Sequence, residues 1–302
     1  MRTQVEKGRL FRELHQRPGI LILPNPWDAG TAKLLASVGF EALATTSLGM
    51  SNALGRVDGK GSVSRAELLE ICRVIAEATD LPVNADLENG YADDPREAAT
   101  ILRDAAEMGV VGGSIEDWSG ERIYDFHHAV ERVAAGVEMA RRLPVPFTFV
   151  ARAENLIRGR PDLDDTIKRL QAFEKAGADV LYAPGLRDLA TMRTVVQAIG
   201  KPLNVVMSAA DPALTAAEME AVGVKRLSVG GALSRLALAA FMKGAREMKE
   251  RGGFTWVRDA MPTPDLKTVF GALRSNAGIG FRRPRCVSHG RTAGPSPRHS
   301  PR

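Results

Sequence analysis

Eight short apolar runs, each followed by an amphipathic helical pattern, set the limits on what this chain can fold into. The runs are ILILP (20–24), EALAT (41–45), PVNAD (82–86), VVGGSI (110–115), FTFVA (147–151), DVLYA (179–183), PLNVV (202–206) and KRLSV (225–229). Helical patterns such as SRAELLEICRVIAEA and DPREAATILRDAAEMG separate them, and ALSRLALAAFMKGAREMKERG follows the last. Strand and helix alternating at this pace predict an α/β fold with a parallel sheet inside a layer of helices. Eight pairs is the count of a (β/α)8 TIM barrel. Gly39, Gly109, Gly177 and Gly223 each stand shortly before a strand, where a left-handed helix stop fits. Neither GxGxxG nor GxxxxGK[ST] occurs, which argues against a doubly wound nucleotide-binding sheet.

Residues 1–275 read as one barrel domain, with a leading helix and a last short helix over 262–275. From 276 to 302 the chain fills with Arg, Pro, Ser and Gly, loses periodicity and reads as a disordered basic tail. That tail explains the charge. The formal net charge is +5, but six arginines and no acid lie between 282 and 302, leaving 35 basic against 36 acidic residues elsewhere. A tail of this kind attracts polyanions weakly. The body shows no basic stripe with interleaved aromatics, so no dedicated nucleic-acid binding is expected. Two cysteines, Cys72 and Cys286, make no disulfide framework, and a reducing compartment fits best. With no apolar span near 20 residues and no apolar signal core at the start, a cytoplasmic protein without membrane contact is the expectation.

Barrel chemistry sits at the C-terminal ends of the strands, so the residues there are the candidates. Strand one ends at Asn25, Trp27 and Asp28, and strand two runs into a segment holding Ser47 and Asp58. Strand three ends at Asn84, Asp86 and Glu88, and strand four at Glu116 and Asp117. Arg152 and Glu154 follow strand five, Tyr182 strand six and Asn204 strand seven. Asn84 and Asp86 are two apart and share a strand face. With Asp58 and Glu116 they make an oxygen-rich set without histidine or cysteine, which suits Mg2+ or Mn2+ rather than zinc. Arg152 would clamp a substrate carboxylate with its planar fork. The plainer reading is that acids after strands cap the next helix, as Asp28, Asp94 and Asp117 would. Trp27 and Tyr182 could equally be packing residues at the barrel mouth.

Taken together and in order, PNPWDAGTAKLLASVGFEALATTS, GRVDG, PVNADLENGY, GGSIEDWSG, ARAE, YAPGL, PLNVV and GVKRLSVGGAL resemble the isocitrate lyase and phosphoenolpyruvate mutase superfamily over about residues 11–250. The resemblance implies a (β/α)8 barrel that exchanges its eighth helix with a neighbour in dimers or tetramers. It implies Mg2+-dependent making or breaking of a C–C or P–C bond beside a carboxylate, through an enolate. It carries the metal-site carboxylates to Asp58, Asp86 and Glu116, and the carboxylate-binding arginine to Arg152. It carries the substrate-holding serine and following amides to Ser47, Leu48 and Gly49.

Two departures qualify it. The family's strand-three pattern is Asp-x-Asp, and Asn84 stands where the first aspartate is expected. The lyases' Lys-Lys/Arg-Cys-Gly-His loop is missing, because IEDWSGERIYDFHH runs straight on. Proton transfer would then fall to Tyr182, Glu88 or a metal-bound water. The expected function is a lyase acting on a small 2-oxo or 2-hydroxy acid. The alternatives are an oxaloacetate-type decarboxylase, a phosphonopyruvate-processing enzyme, and a non-catalytic binding barrel whose metal site has decayed.

Overall fold

The computed structural model describes residues 1–59 and 61–271; the expectations for the 276–302 tail, for the end of the 262–275 helix and for Cys286 fall outside them. Eight parallel strands form one sheet in the order β1-β8-β7-β6-β5-β4-β3-β2. They are β1 (Leu21–Leu23), β2 (Leu43–Ala44), β3 (Val83–Asp86), β4 (Gly112–Glu116), β5 (Thr148–Arg152), β6 (Val180–Tyr182), β7 (Leu203–Val206) and β8 (Arg226–Ser228). The sheet comes round on itself where the Ala44 N–H donates to the Pro24 carbonyl at 3.1 Å. The (β/α)8 barrel expected from the alternating runs is the fold observed.

Asn25, just past β1, fixes that closure. Its Oδ1 accepts from the N–H groups of Val229 and Gly230, both at 2.9 Å, and its Nδ2 donates to the Thr45 carbonyl at 2.9 Å. One buried amide thus joins the ends of strands eight, one and two, satisfying backbone groups that no ladder reaches.

Outside the sheet run α1 (Gln4–Gln16), α2 (Ala29–Ser37), α3 (Ser47–Ala53), α4 (Arg65–Ala78), α5 (Pro95–Glu107), α6 (Phe126–Arg142), α7 (Leu163–Ala176), α8 (Leu189–Ala198), α9 (Ala216–Ala221), α10 (Ala232–Arg251) and α11 (Thr263–Gly271). Asp28 and Asp94 do cap α2 and α5. Asp117 caps nothing, since α6 begins after Asp125. Helix α1 closes the N-terminal end of the barrel, where Phe11 and Leu14 pack with Leu21, Leu23, Ala42, Ala44 and Val111. Among the described residues no helix is long and apolar enough to cross a membrane.

The last helices behave differently. α10 packs chiefly against α3 and the 255–259 turn, while α11 lies on α2. Leu236 (65% exposed) and Phe241 (71%) of α10 face outward. Ile22, on the outer face of β1, is 39% exposed where a barrel strand is normally covered by helix.

Candidate active site

The strand ends deliver charge to one place. In the register Glu116 pairs with Arg152, Arg152 with Tyr182, Tyr182 with Asn204 and Asn204 with Arg226, so one row of inward side chains runs from β4 to β8. Above this row open two adjoining cavities of about 260 and 390 Å3 that share Ser47, Asp58, Arg152 and Arg158. A cleft of about 770 Å3 at the opposite, N-terminal end is lined by Arg9, Arg12 and Lys201 and holds none of the predicted site residues.

Arg152 is the hub. Its Nη1 lies 3.3 Å from Glu116 and 3.6 Å from Asp86, and its Nε is bonded to Glu154. Its guanidinium stands 5.0 Å from the centre of the Tyr182 ring. Burial alone would lower the pKa of Arg152; Glu154 and Glu116 outweigh it and hold it above the usual value. Arg158 adds a second cation, 2.9 Å from Glu154 and 3.9 Å from Glu116, and its guanidinium lies 4.9 Å from the Trp118 ring centre.

The carboxylates crowd. Burial, and then the nearby Asp86, raise the pKa of Asp58. Burial raises that of Glu116 well above the carboxylate range, against the pull of Arg152. Glu88 is pushed up to about 7 by burial, with Asp86 and Asp58 adding to it. Its backbone is strained as well: among the described residues, Glu88 and Tyr91 are the non-glycine residues with positive φ, at 49° and 61°. The strain turns the loop so that the Tyr91 hydroxyl donates to Glu88 at 3.2 Å and the Glu116 N–H donates to the Glu88 carbonyl at 2.9 Å.

Asp58, Asp86, Glu116, Arg152, Ser47, Leu48, Tyr182, Asn204 and Asn84 all border one or both cavities. The Ser47 N–H donates to Asp86 at 3.1 Å, and the Ser51 hydroxyl to Asp58 at 3.3 Å. Gly49 and Trp27 stand back from the cavities. The Gly49 N–H is directed to the Thr46 hydroxyl at 3.4 Å, and a Cβ on Gly49 would come within 2.9 Å of Trp27. Trp27 is therefore packing here. Asn84 is 2% exposed, one inward position deeper than Asp86, and its Oδ1 has no partner. A Cβ on the paired Gly112 would lie 2.8 Å from that oxygen, so the glycine makes its room. The acid-x-acid spacing of strand three is present one step further along, as Asp86 and Glu88.

Arg158 and Arg169 were not singled out from sequence; Asp117 and Glu154 stood among the strand-end candidates, but without a role in the site. Asp117 Oδ1 accepts the Glu154 N–H at 2.7 Å, and Asp117 Oδ2 pairs with Arg169 at 2.9 Å, both side chains almost fully buried. This pair fixes the backbone that aims Glu154 at Arg152. Where the lyases carry their cysteine loop, Trp118 and Ile123 form a single antiparallel bridge, with the Ser119 N–H donating to the Arg122 carbonyl at 2.9 Å.

A parallel α/β barrel with arginine and carboxylates gathered at its C-terminal mouth defines the broad class, barrel proteins that work on small anions. The family model described as phosphoenolpyruvate phosphomutase matches residues 11–249. A solved structure of a candidate lyase/mutase from Burkholderia cenocepacia J2315 is 51% identical, with TM-score 0.87, covering 89% of this chain and 97% of that one. A candidate phosphonomutase from the same organism is 35% identical, with TM-score 0.73, covering 83% of this chain and all of that one. The 2,3-dimethylmalate lyase of Eubacterium barkeri is 29% identical over 70% of this chain and 76% of that protein. The chain belongs to the phosphoenolpyruvate mutase and isocitrate lyase superfamily, whose general chemistry is the making and breaking of C–C and P–C bonds in small carboxylates.

Proposed function

We propose that this protein is a lyase-type enzyme that breaks or makes a bond next to the carboxylate of a small 2-oxo or 2-hydroxy acid, with a divalent cation as cofactor. The observation that carries the reading is the excess of acid around Arg152. Asp58, Asp86, Glu88 and Glu116 border the cavities and Glu154 lies beside them, against Arg152 and Arg158. Hard carboxylate oxygens in excess of their cations are the donor set that Mg2+ or Mn2+ takes. Among the described residues no three acids, histidines or cysteines converge on one point as the side chains stand. The Arg152 guanidinium occupies the space between Asp86 and Glu116.

Asp58, Asp86, Glu88 and Glu116 would hold the ion, directly or through water, with Asn84 beneath the set. A bound divalent cation supplies positive charge to the substrate oxygen that takes up the electrons of the breaking bond. Arg152 fixes the substrate carboxylate beside the Ser47 hydroxyl and the first turn of α3, so that the bond to be broken lies across the new carbonyl plane. Glu88, which changes charge near neutral pH, is placed to hold or release a proton at its carboxyl. Tyr182, pushed up to about 12 chiefly by burial, stays protonated and donates to developing negative charge. Loss of CO2 from an oxaloacetate-like acid asks least of a site without the cysteine loop, because the leaving group needs no protein base.

Calorimetric titration with Mg2+ and Mn2+ tests the cation. Asp86→Ala abolishes binding on this account, and retained binding would sink it. Asn84→Asp changes affinity little; a clear tightening would make residue 84 a ligand. Protons compete with the ion for Glu88, whose folded pKa of about 7 lies above the ordinary 4.5 of a glutamate. Affinity therefore rises with pH through about 7, and Glu88→Gln flattens that rise. By the same linkage the metal-free protein loses stability as pH climbs from about 4.5 to 7, since ionising Glu88 costs more in the folded state.

The bare outer face of β1 and the exposed apolar side of α10 support an oligomer in which α10 covers a neighbour's barrel. Light scattering should give a dimer or larger, reduced to monomer by Phe241→Glu. A wild-type monomer would overturn this.

A further inference from the structure

We propose that the cleft at the N-terminal end of the barrel, remote from the mouth, binds a small polyanion of the diphosphate type. The inference goes beyond the reading above and does not depend on it. At about 770 Å3 the cleft is in the size range of small-molecule sites. Arg9 and Arg12 of α1, Arg141 at the end of α6 and Lys201 just before β7 line it from three sides, and all four are exposed. Barrel catalysis uses the opposite end of the strands, so the reaction gives these cations no task. Asp179 is the acid that lines the cleft among the described residues, and it is already engaged. Its Oδ2 accepts the Phe149 N–H at 2.9 Å, and its Oδ1 lies 3.4 Å from Arg141.

Arg9, Arg12 and Lys201 have no carboxylate partner among the described residues, whereas Arg17, Arg56, Arg73 and Arg142 elsewhere on the surface each meet one. The three are held on a firm wall. A Cβ on Gly8 would strike the Pro146 carbonyl, so the glycine lets α1 lie directly on that segment. Residues 5, 9, 12 and 16 then form the stripe of α1 that borders the cleft. Arg12 donates its Nη2 to the Phe147 carbonyl at 3.1 Å, which steadies the guanidinium and leaves its other donors unpaired. Behind them Thr148 and His15 are buried with Oγ1 and Nε2 unpartnered, so the wall toward the barrel interior is polar. No Phe, Tyr or Trp lines the cleft for a base to stack on, which disfavours single-stranded nucleic acid. Three unpaired cations match a compact anion of about three negative charges, which a diphosphate carries near neutral pH.

Calorimetry of the full, metal-free chain with inorganic pyrophosphate is the test. Wild type should take up pyrophosphate at the cleft and melt at a higher temperature with it bound. Arg9→Gln combined with Lys201→Gln should weaken binding by about 10-fold or more. The free double variant should melt as wild type does, since both side chains are exposed and unpaired. Arg152→Gln, at the mouth, should leave pyrophosphate binding intact, and the double variant should leave Mg2+ binding at the mouth intact. The proposal and the lyase reading therefore fail separately. Binding lost in Arg152→Gln but kept in the double variant would put pyrophosphate at the mouth and overturn the proposal, as would a wild type that binds none. A single-stranded oligonucleotide that binds more tightly than pyrophosphate, and is lost in the same double variant, would overturn it in favour of a nucleic-acid surface.

Discussion

Replacing Arg152 by lysine lowers kcat/KM by about 30- to 1,000-fold, a loss of about 2–4 kcal/mol in transition-state stabilisation. Lysine keeps the charge and discards the fork. In the structure one guanidinium meets Glu116, Asp86 and Glu154 at once and lies by the Tyr182 ring. An ammonium group has no plane with which to hold those directions while it also meets a substrate carboxylate. The measurement is steady-state kinetics on a confirmed substrate, with kcat and KM resolved. A change confined to KM would mean that Arg152 binds ground and transition states alike. Turnover close to wild type would remove it from the site and leave Ser47 and the start of α3 as the carboxylate anchor.

Arg169→Met costs about 3–5 kcal/mol of folding stability, because it leaves Asp117 as an unpaired charge in the interior. Arg169 and Asp117 are 2.9 Å apart and both buried, and Arg169 Nη1 also donates to the Tyr124 carbonyl at 3.0 Å. Burial already lifts the Asp117 carboxyl to about 6 with its partner present. The double variant Asp117→Leu with Arg169→Met should recover part of the loss, since apolar replacement of both partners removes the stranded charge. Denaturant unfolding of the four members of the cycle decides it. A single-variant loss below about 1 kcal/mol would show that the pair carries little. Activity should fall along with stability, because Asp117 holds the backbone of Glu154, and Glu154 holds Arg152.

The barrel was legible because its signal is repetitive. Each apolar run gave a strand within two or three residues of its expected ends, and the helices between them kept their amphipathic period. The strand-end rule pointed to Asp58, Asp86, Glu116 and Arg152 without any side-chain information, and all four border the two adjoining cavities at the barrel mouth. What it missed has a physical reason. Arg169 follows Asp165 by four residues, the spacing of an ordinary surface ion pair, and nothing local says that its outer end is buried against Asp117. Asp117 looks like a helix cap, yet helix α6 starts nine residues later, and the intervening bridge turns Asp117 inward. Glu88 lies two residues past the end of β3, where the positive φ of the loop decides which way it points. Asn84 shares a face with Asp86, as expected, but depth along a barrel strand cannot be read from the alternation of faces. Arg226 did carry a signal: a charged residue at an inward position of an apolar strand.

The central claim is that these residues cooperate with a divalent cation to break a bond beside a carboxylate. It is tested most directly by incubating the protein with small 2-oxo and 2-hydroxy acids and following pyruvate and glyoxylate by NMR, with and without Mg2+ or Mn2+. The account predicts release from at least one dicarboxylate, dependent on the cation and abolished by Asp86→Ala. Release that survives both chelation and Asp86→Ala would contradict it, as would no turnover of any such acid by metal-loaded protein.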